Sequence, residues 1–221
     1  MDKKNIIAVI LVLICGALTL VAATGLVKIP VFSTVLGTDK PVNLLGNVDP
    51  NLYQDLLVRE EVILTGKTDQ YCLTCDITYE DYGPMDVTLS SAELSSLLQA
   101  TNNNLGPLKE IQVKLNDNNQ AEMSAYADLK EHGYDFSGPI YIKGNIVKSE
   151  SSGIAIEIQK VKTGLLPLPI PKEYIEKGEN GINTLINRQL SKMSDLKIDQ
   201  LEISDNALHF KGNYPKTASV N

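Results

Sequence analysis

Apolar and polar residues alternate along most of the chain after about residue 50. The longest run is 121–129, where Ala121, Met123, Ala125, Ala127 and Leu129 alternate with more polar residues. Strict alternation is typical of strands that bury one face, so the pattern predicts half-buried antiparallel strands. Shorter runs of the same kind are Ile111, Val113 and Leu115; Ile140 and Ile142; Ile154, Ile156 and Ile158; and Leu208 and Phe210.

The segments between these runs are rich in Asn, Asp, Ser and Gly, as hairpin connections require. They lie at residues 116–119, 151–153 and 205–206. Between Ile198 and Leu201 the apolar phase slips by one residue. An extra residue in one strand has this effect, so the sequence predicts a β-bulge there.

Two helices are predicted to interrupt the strands. Ser90 is an N-cap candidate, and Glu93 three residues later completes a capping box. The predicted buried stripe of this helix consists of Leu94, Leu97 and Leu98. The second helix is predicted to begin at Pro171, in the first helical position, and to run to about Met193. The order of elements is strands, short helix, four-strand meander, long helix and final hairpin, which predicts an α+β domain with a long antiparallel sheet.

Residues 6–27 contain no charged side chain. A helix of this length spans about 33 Å, enough to cross a bilayer. Lys3 and Lys4 precede it, and the positive-inside rule places the N-terminus in the cytoplasm. The segment therefore predicts an uncleaved signal-anchor. A cleavable signal peptide ending near Ala23 is the alternative, although its apolar core normally has only 7–15 residues.

The predicted organisation follows from this anchor. Residues 1–5 form a cytoplasmic tail and 6–27 the transmembrane helix. Residues 28–50 contain scattered Pro and Gly and are predicted to be a tether. The extracytoplasmic domain is predicted to span 51–214, and 215–221 to form a tail. The protein would be a single-pass protein of the cell membrane.

Composition narrows the function. The chain has a formal net charge of −7, with 43% hydrophobic and only 5% aromatic residues. Asp2, Lys3 and Lys4 together carry +1, so the remainder carries −8. Nucleic-acid binding needs clustered Lys and Arg, so we expect no nucleic-acid partner. We expect any contact with lipid to use apolar surface or a local basic patch, because an anionic membrane repels the acidic domain as a whole.

Cys72 and Cys75 form a single C-x-x-C motif. A structural zinc site needs two further ligands, and neither histidine has the companion spacing, so no metal is expected. A redox motif normally opens a helix, whereas alternation over 71–79 predicts a strand. On a regular strand the two residues are too far apart for a bridge, so a disulfide requires a local turn. A disulfide and free strand thiols both remain open.

No catalytic motif stands out. The chain has two histidines, no Gly-x-Ser-x-Gly elbow, no phosphate-binding glycine loop and no HExxH. We therefore expect neither an enzyme nor a cofactor. The stretch 166–171 alternates Pro with Leu or Ile. It is predicted to be a stiff connector into the long helix, with a polyproline ligand for a partner as the alternative.

One pattern links the segments 87–98, 139–144, 154–161, the Gly-x-x-Pro-x-Pro run of 164–169, and 201–212. Together these segments resemble the bacterial YpmS-type and LmeA-like proteins, which are related to the tubular lipid-binding (TULIP-like) fold. The resemblance covers about residues 85–213. It implies a curved antiparallel sheet wrapped around a long helix, with acyl chains held between them.

The leading expectation is a lipid-binding protein of the cell envelope that takes a phospholipid or another acyl-chain ligand, for transfer, storage or sensing. The runner-up is a non-catalytic scaffolding module with a solid core that docks an envelope protein. A membrane-tethered thiol oxidoreductase is a third reading. The residues expected to line the lipid cleft are Leu97, Leu98, Ile111, Val113, Met123, Ile142, Ile154, Ile156, Ile182, Leu185 and Ile186.

Overall fold

The structure, a computed structural model, describes residues 3–24, 28–45, 48–49, 51–66, 75–102, 106–128, 130, 136–149, 152–164 and 171–220. For residues 3–12 it describes the backbone alone. The helices in these ranges are α1 (Lys3–Ala23), α2 (Pro30–Leu36), α3 (Leu52–Arg59), α4 (Ser91–Asn102) and α5 (Lys172–Leu190). The strands are β1 (Ile63–Gly66), β2 (Ile77–Ser90), β3 (Leu108–Asn116), β4 (Gln120–Asp128), β5 (Ser137–Ser149), β6 (Gly153–Thr163), β7 (Lys197–Ser204) and β8 (Ala207–Val220).

The strands form two four-stranded sheets. In sheet A, β8 pairs with β2 along one side and with β7 and then β1 along the other; only the β1 pairing is parallel. Sheet B is the antiparallel meander β3-β4-β5-β6. The predicted order of elements and the α+β class are thus confirmed from β2 onward. The wrapping of one curved sheet around a helix, which the resemblance implies, stays a prediction.

One hydrophobic core joins the two sheets with α3 and α4. Leu115 of β3 and Ile198 of β7 are each 1% exposed at its centre. The other buried members are Leu56, Met85, Val87, Leu89, Ile111, Val113, Ala125, Met193, Leu196, Leu201, Ile203 and Leu208. The two sheets also meet at the β3–β4 turn, where Asn119 Oδ1 accepts a hydrogen bond from the Ile203 N–H (2.7 Å). The apolar alternation of the sequence therefore builds a packed core.

The predicted capping box at the start of α4 is confirmed. Glu93 Oε2 accepts hydrogen bonds from the N–H and the hydroxyl of Ser90, each at 2.8 Å, and the Glu93 N–H donates to Ser90 Oγ. Arg59 adds an ion pair to Glu93 at 2.6 Å. Burial by itself raises the pKa of Glu93, but the hydrogen bonds from Ser90 and Arg59 bring the pKa below its ordinary value. The carboxylate thus stays charged where it caps the helix.

The predicted bulge near Ile198 is confirmed as well. The pairing of β7 with β8 shifts between Ile198 and Gln200. Gly212 faces the bulge, and a Cβ atom at this position would collide with the Lys197 carbonyl. The two-residue turn that follows β7 also behaves as predicted, because Asp205 and Asn206 both have positive φ.

Two predicted boundaries need correction. The segment 28–50, predicted to be a tether, contains α2 and a stretch that crosses sheet B. Pro30 opens α2 instead of breaking the chain, and Gly37 ends α2 in the left-handed conformation. The predicted tail at 215–221 is also wrong, because β8 continues to Val220 and its last residues pair with β1 and β2. The long helix begins at Lys172, with Pro171 as its N-cap, and ends at Leu190.

Residues 37–45, which we call the strap, lie on the outer face of sheet B, which is the face turned away from the hydrophobic core. Gln112 of β3 accepts hydrogen bonds from the N–H groups of Leu44 (2.7 Å) and Leu45 (3.2 Å) through its Oε1. At the other end, Thr38 and Val42 line a cavity beside Tyr141 of β5. Ser124 lies between Gln112 and Tyr141 in the strand register and is fully buried.

The end of α1 is attached to the domain. Thr38 Oγ1 donates a hydrogen bond to the Ala22 carbonyl (2.8 Å), and Thr163 Oγ1 of β6 donates to the Thr24 carbonyl (3.1 Å). Among the described residues, no helix is both long and apolar enough to cross a membrane. The anchor at 6–27 therefore stays a prediction.

Candidate functional site

Every fourth residue of α4 forms a hydrogen bond with the backbone of β3, which is the edge strand on that side of sheet B. These bonds are Leu115 N–H to Ser91 Oγ (2.9 Å), Val113 N–H to Ser95 Oγ (2.7 Å) and Gln99 Nε2 to the Ile111 carbonyl (2.6 Å). Serine side chains are short, so the helix approaches closely. Ser95 is 0% exposed as a result. The predicted leucine stripe, Leu94, Leu97 and Leu98, is only partly buried and packs at the margin of the core.

Helix α5 does the same at the opposite edge of sheet B, on β6. Ile154 and Ile156 each donate a backbone hydrogen bond to an asparagine and accept one back through the carbonyl, while Ile158 donates to a carboxylate. The partners are Asn187 (3.1 and 2.8 Å), Asn183 (2.8 and 3.0 Å) and Glu179 Oε2 (2.6 Å). The asparagine amides thus take the place of a neighbouring strand.

Both arrangements depend on a match between the rise of an α-helix over four residues and the rise of a β-strand over two. Four residues of α-helix advance about 6.0 Å, and two residues of strand advance about 6.8 Å. Groups at i, i+4 and i+8 on a helix therefore meet every second residue of an antiparallel strand, where the backbone groups all point outward. The stripe of Glu179, Asn183 and Asn187 is visible in the sequence, but its role depends on which strand lies beside it.

The residues predicted to line one cleft do not come together in one place. Ile111 and Val113 are 3% and 5% exposed and belong to the packed core, beneath α4. Leu97, Leu98, Met123 and Ile154 pack at the margin of that core. Strands β3 and β6 are three strand spacings apart, about 14 Å, so the α4 residues lie far from α5. The other predicted residues lie on α5 or on the two strands nearest to it, β5 and β6.

These other residues form what we call the aliphatic rim: Ile142, Ile156, Ile182, Leu185 and Ile186. Ile142 and Ile156 share the inner face of sheet B, according to the strand register. Ile182 and Ile186 follow Glu179 and Asn183 by three residues and so lie beside the polar stripe of α5. Four members are half-buried, and Leu185 is 38% exposed. The inner face is thus buried at β3 and only partly buried at β6.

Two cavities in the described part of the molecule are small and lie elsewhere. One of about 50 Å³ is lined by residues of the strap together with Ile140, Tyr141 and Lys162. Another of about 10 Å³ lies beside Asp39, Tyr126 and Ser137. Typical small-molecule pockets measure about 300–1,000 Å³. Neither cavity has room for an acyl chain.

The outer face of sheet B carries a short polar network beside the larger cavity. The Tyr141 hydroxyl donates to Glu122 Oε2 (2.6 Å), and Asn116 Nδ2 donates to Glu122 Oε1 (3.2 Å). Burial, with the hydrogen bond to Glu122 and its charge, raises the pKa of Tyr141 to about 12. Lys162 lies over the Tyr141 ring, 5.6 Å from its centre.

Titration tests this network. A raised pKa means that the native state favours the neutral phenol, so its stabilising effect is complete below pH 10 and is lost as pH rises toward 12. We expect Tyr141→Phe to remove a step near pH 12 from the absorbance titration of the nine tyrosines, and to flatten the fall in melting temperature between pH 10 and 12. Tyr174→Phe is the control, because Tyr174 is 64% exposed. A Tyr141 that ionises near pH 10 would contradict the network.

Cys75 is disulfide-bonded. The chain has three cysteines, and Cys15 carries a free thiol; Cys72 lies outside the described residues. The Cys75 carbonyl accepts hydrogen bonds from Gln189 Nε2 (2.9 Å) and Lys192 Nζ (3.2 Å). The start of β2 is thereby tied to the end of α5. The connector 166–170 also lies outside the described residues.

Comparison of the chain with models of known protein families and with curated proteins finds no match. The candidate site is therefore defined by its geometry. Within the described ranges no group of three His, Cys, Asp or Glu side chains is arranged to hold a metal ion. The arrangement presents an aliphatic surface, the rim, beside helix α5, which polar side chains attach to β6.

Proposed function

We propose that the chain is a membrane-anchored, non-catalytic protein that binds a phospholipid or another acyl-chain ligand on the extracytoplasmic side of the cell membrane. The observation that carries the proposal is the aliphatic rim: Ile142 and Ile156 lie on the inner face of sheet B, and the partly exposed Ile182, Leu185 and Ile186 lie on α5, the helix that is bonded to β6. The resemblance to TULIP-like proteins supports the same reading.

The attachment of α5 explains why this surface is open. Amide and carboxylate groups hold the helix to the edge of β6, so its apolar side chains are not needed for that attachment. Only Leu190, at the end of α5, packs against the core. Ile182, Leu185 and Ile186 keep apolar area that an acyl chain would remove from water, at about 25 cal/mol per Å².

A second candidate is an interaction module with a solid core that docks an envelope protein. The small volume of the cavities favours it, because an enclosed acyl chain needs several times more space. Both edges of sheet B are occupied by helices, so strand addition would have to use sheet A. Lipid extraction distinguishes the candidates, since the second predicts a chain that purifies without lipid.

Probe binding tests the lipid proposal. The full chain, purified in a nonionic detergent, is expected to carry lipid detectable by mass spectrometry and to bind a fluorescent fatty acid. Ile182→Asp is expected to weaken probe binding at least tenfold, because a carboxylate in the rim loses most of its hydration when the acyl chain of the probe binds. The aspartate stays at a partly exposed helix position, so the fold is expected to survive.

Val58→Asp is the matched control. Val58 is a 79% exposed apolar residue of α3, outside the rim, and its replacement introduces the same charge. We expect it to bind the probe as wild type does. If wild-type protein carries no lipid and binds no probe, the lipid proposal is wrong and the interaction module stands.

A further inference from the structure

Four lysines gather on the outer face of sheet B. Lys143 of β5 lies directly opposite Lys160 of β6, and the next cross-strand pair on that face is Tyr141 with Lys162. Lys40 of the strap lines the same 50 Å³ cavity as Lys162. We call Lys40, Lys143, Lys160 and Lys162 the lysine patch. It lies on the opposite side of the sheet from the aliphatic rim.

The patch is a local exception to the charge of the domain. Like charges directly opposite each other on two strands are destabilising. The nearest carboxylate in the register is Glu122, opposite Lys143, and it is already bonded to Tyr141 and Asn116. Across the described residues, no carboxylate forms an ion pair with any of the four lysines. Glu122 offsets part of this charge, and the remaining excess of positive charge, which breaks a local rule, is typical of a binding site.

Phosphate is the chemistry that this site fits. An ammonium group offers three hydrogen-bond donors and a full positive charge, and lysine is a common phosphate ligand. A cavity of about 50 Å³ has room for a group of a few heavy atoms, since one water needs about 10–15 Å³ on the same measure. The Lys143–Lys160 pair lies one cross-strand pair beyond the cavity on the same face, and a phosphate bound against that pair would relieve its repulsion.

The position of the patch indicates where the phosphate comes from. Thr163, next to Lys162, is bonded to the Thr24 carbonyl at the end of α1, and Thr38, two residues before Lys40, is bonded to the Ala22 carbonyl. Both parts of the patch are therefore attached to the last two turns of the proposed membrane anchor, next to the membrane surface. Anionic lipids attract basic residues only within about a Debye length of the surface, and these residues are attached there.

We propose that the lysine patch binds the phosphate groups of anionic phospholipids at the surface of the membrane. The choice of a lipid as the source rests on the anchor of the proposed function. The domain as a whole is acidic and is repelled by such a membrane, so the patch fixes which face of the domain turns toward it. Sheet B would then stand between the membrane surface and the packed core.

Mixed micelles provide the test. The full chain in a nonionic detergent is titrated with fluorescent phosphatidylglycerol and, separately, with fluorescent phosphatidylcholine. We expect wild type to prefer phosphatidylglycerol, and Lys143→Gln with Lys160→Gln to weaken that binding about 25-fold, about fivefold for each lysine. Lys172→Gln with Lys177→Gln removes the same charge from α5 and is expected to leave the affinity unchanged. Equal affinity of wild type and the Lys143/Lys160 variant would overturn the proposal.

Three further measurements separate the possible failures. Displacement of phosphatidylglycerol by a few millimolar inorganic phosphate would identify free phosphate as the ligand and overturn the lipid source. The melting temperature of the Lys143/Lys160 variant is expected to equal or exceed that of wild type, because the repulsion is removed; if the variant is unfolded, Lys162→Gln gives the same test with a loss of about fivefold. Alkaline extraction of membranes tests the anchor independently of the micelle experiment.

Discussion

Leu115→Ala is expected to lower the free energy of unfolding by about 3–5 kcal/mol. The Leu115 side chain is 1% exposed in the middle of the core that joins both sheets. Truncation removes buried methyl groups and leaves a cavity, which costs about 2–5 kcal/mol in well-packed cores. The Leu115 N–H is bonded to Ser91 of α4, so the backbone around the site has little freedom to close the void. The upper part of the range is therefore expected.

Denaturation of the full chain in detergent, by heat or urea, measures this loss. Leu185→Ala is the matched control, because it makes the same chemical change at a residue that is 38% exposed. We expect it to cost less than about 1 kcal/mol. A loss below about 1.5 kcal/mol at Leu115 would show that the core is loosely packed, contrary to the structure.

Asn183→Leu with Asn187→Leu is expected to lower the free energy of unfolding by about 2–4 kcal/mol. The double variant removes four hydrogen bonds to the β6 backbone and leaves two N–H and two carbonyl groups of the edge without their partners. Leucine has the higher helix propensity, so any loss of stability comes from the edge and not from α5 itself.

Hydrogen exchange provides the local measurement. We expect the amides of Ile154 and Ile156 to lose protection in the variant, while amides in β7 keep theirs unless the whole chain unfolds. The control is Asn180→Leu with Thr184→Leu, which places two leucines at exposed positions of the same helix. Unchanged protection of Ile154 in the Asn183/Asn187 variant would contradict the role assigned to the amide stripe.

The local order of the domain could be predicted because its signals are local. The capping box of Ser90 and Glu93, the bulge after Ile198 and the turn at Asp205 each depend on a few neighbouring residues. Alternation located β3 to β6 and their antiparallel order for the same reason. Each of these features is present in the structure.

The burial pattern could not be predicted, because it depends on partners far along the chain. Periodicity selected the leucines of α4 as its buried face, whereas Ser95 is more buried since β3 lies against it. Thr217 to Val220 have no strong apolar period, and they form a strand because β1 and β2 flank them. The residues predicted to line the lipid cleft are divided between the core and the aliphatic rim for the same reason. Alternation shows which face of a strand a residue occupies, but it does not show what covers that face.

The two helices that border sheet B also limit what the protein can assemble into. A sheet normally ends in unpaired backbone groups, and these groups recruit strands from other molecules. Here α4 bonds to the edge of β3 and α5 to the edge of β6, so the bonded stretches offer no free backbone groups to a strand from another molecule. The asparagine and serine side chains thus limit the growth of the four-stranded meander by strand addition at these edges.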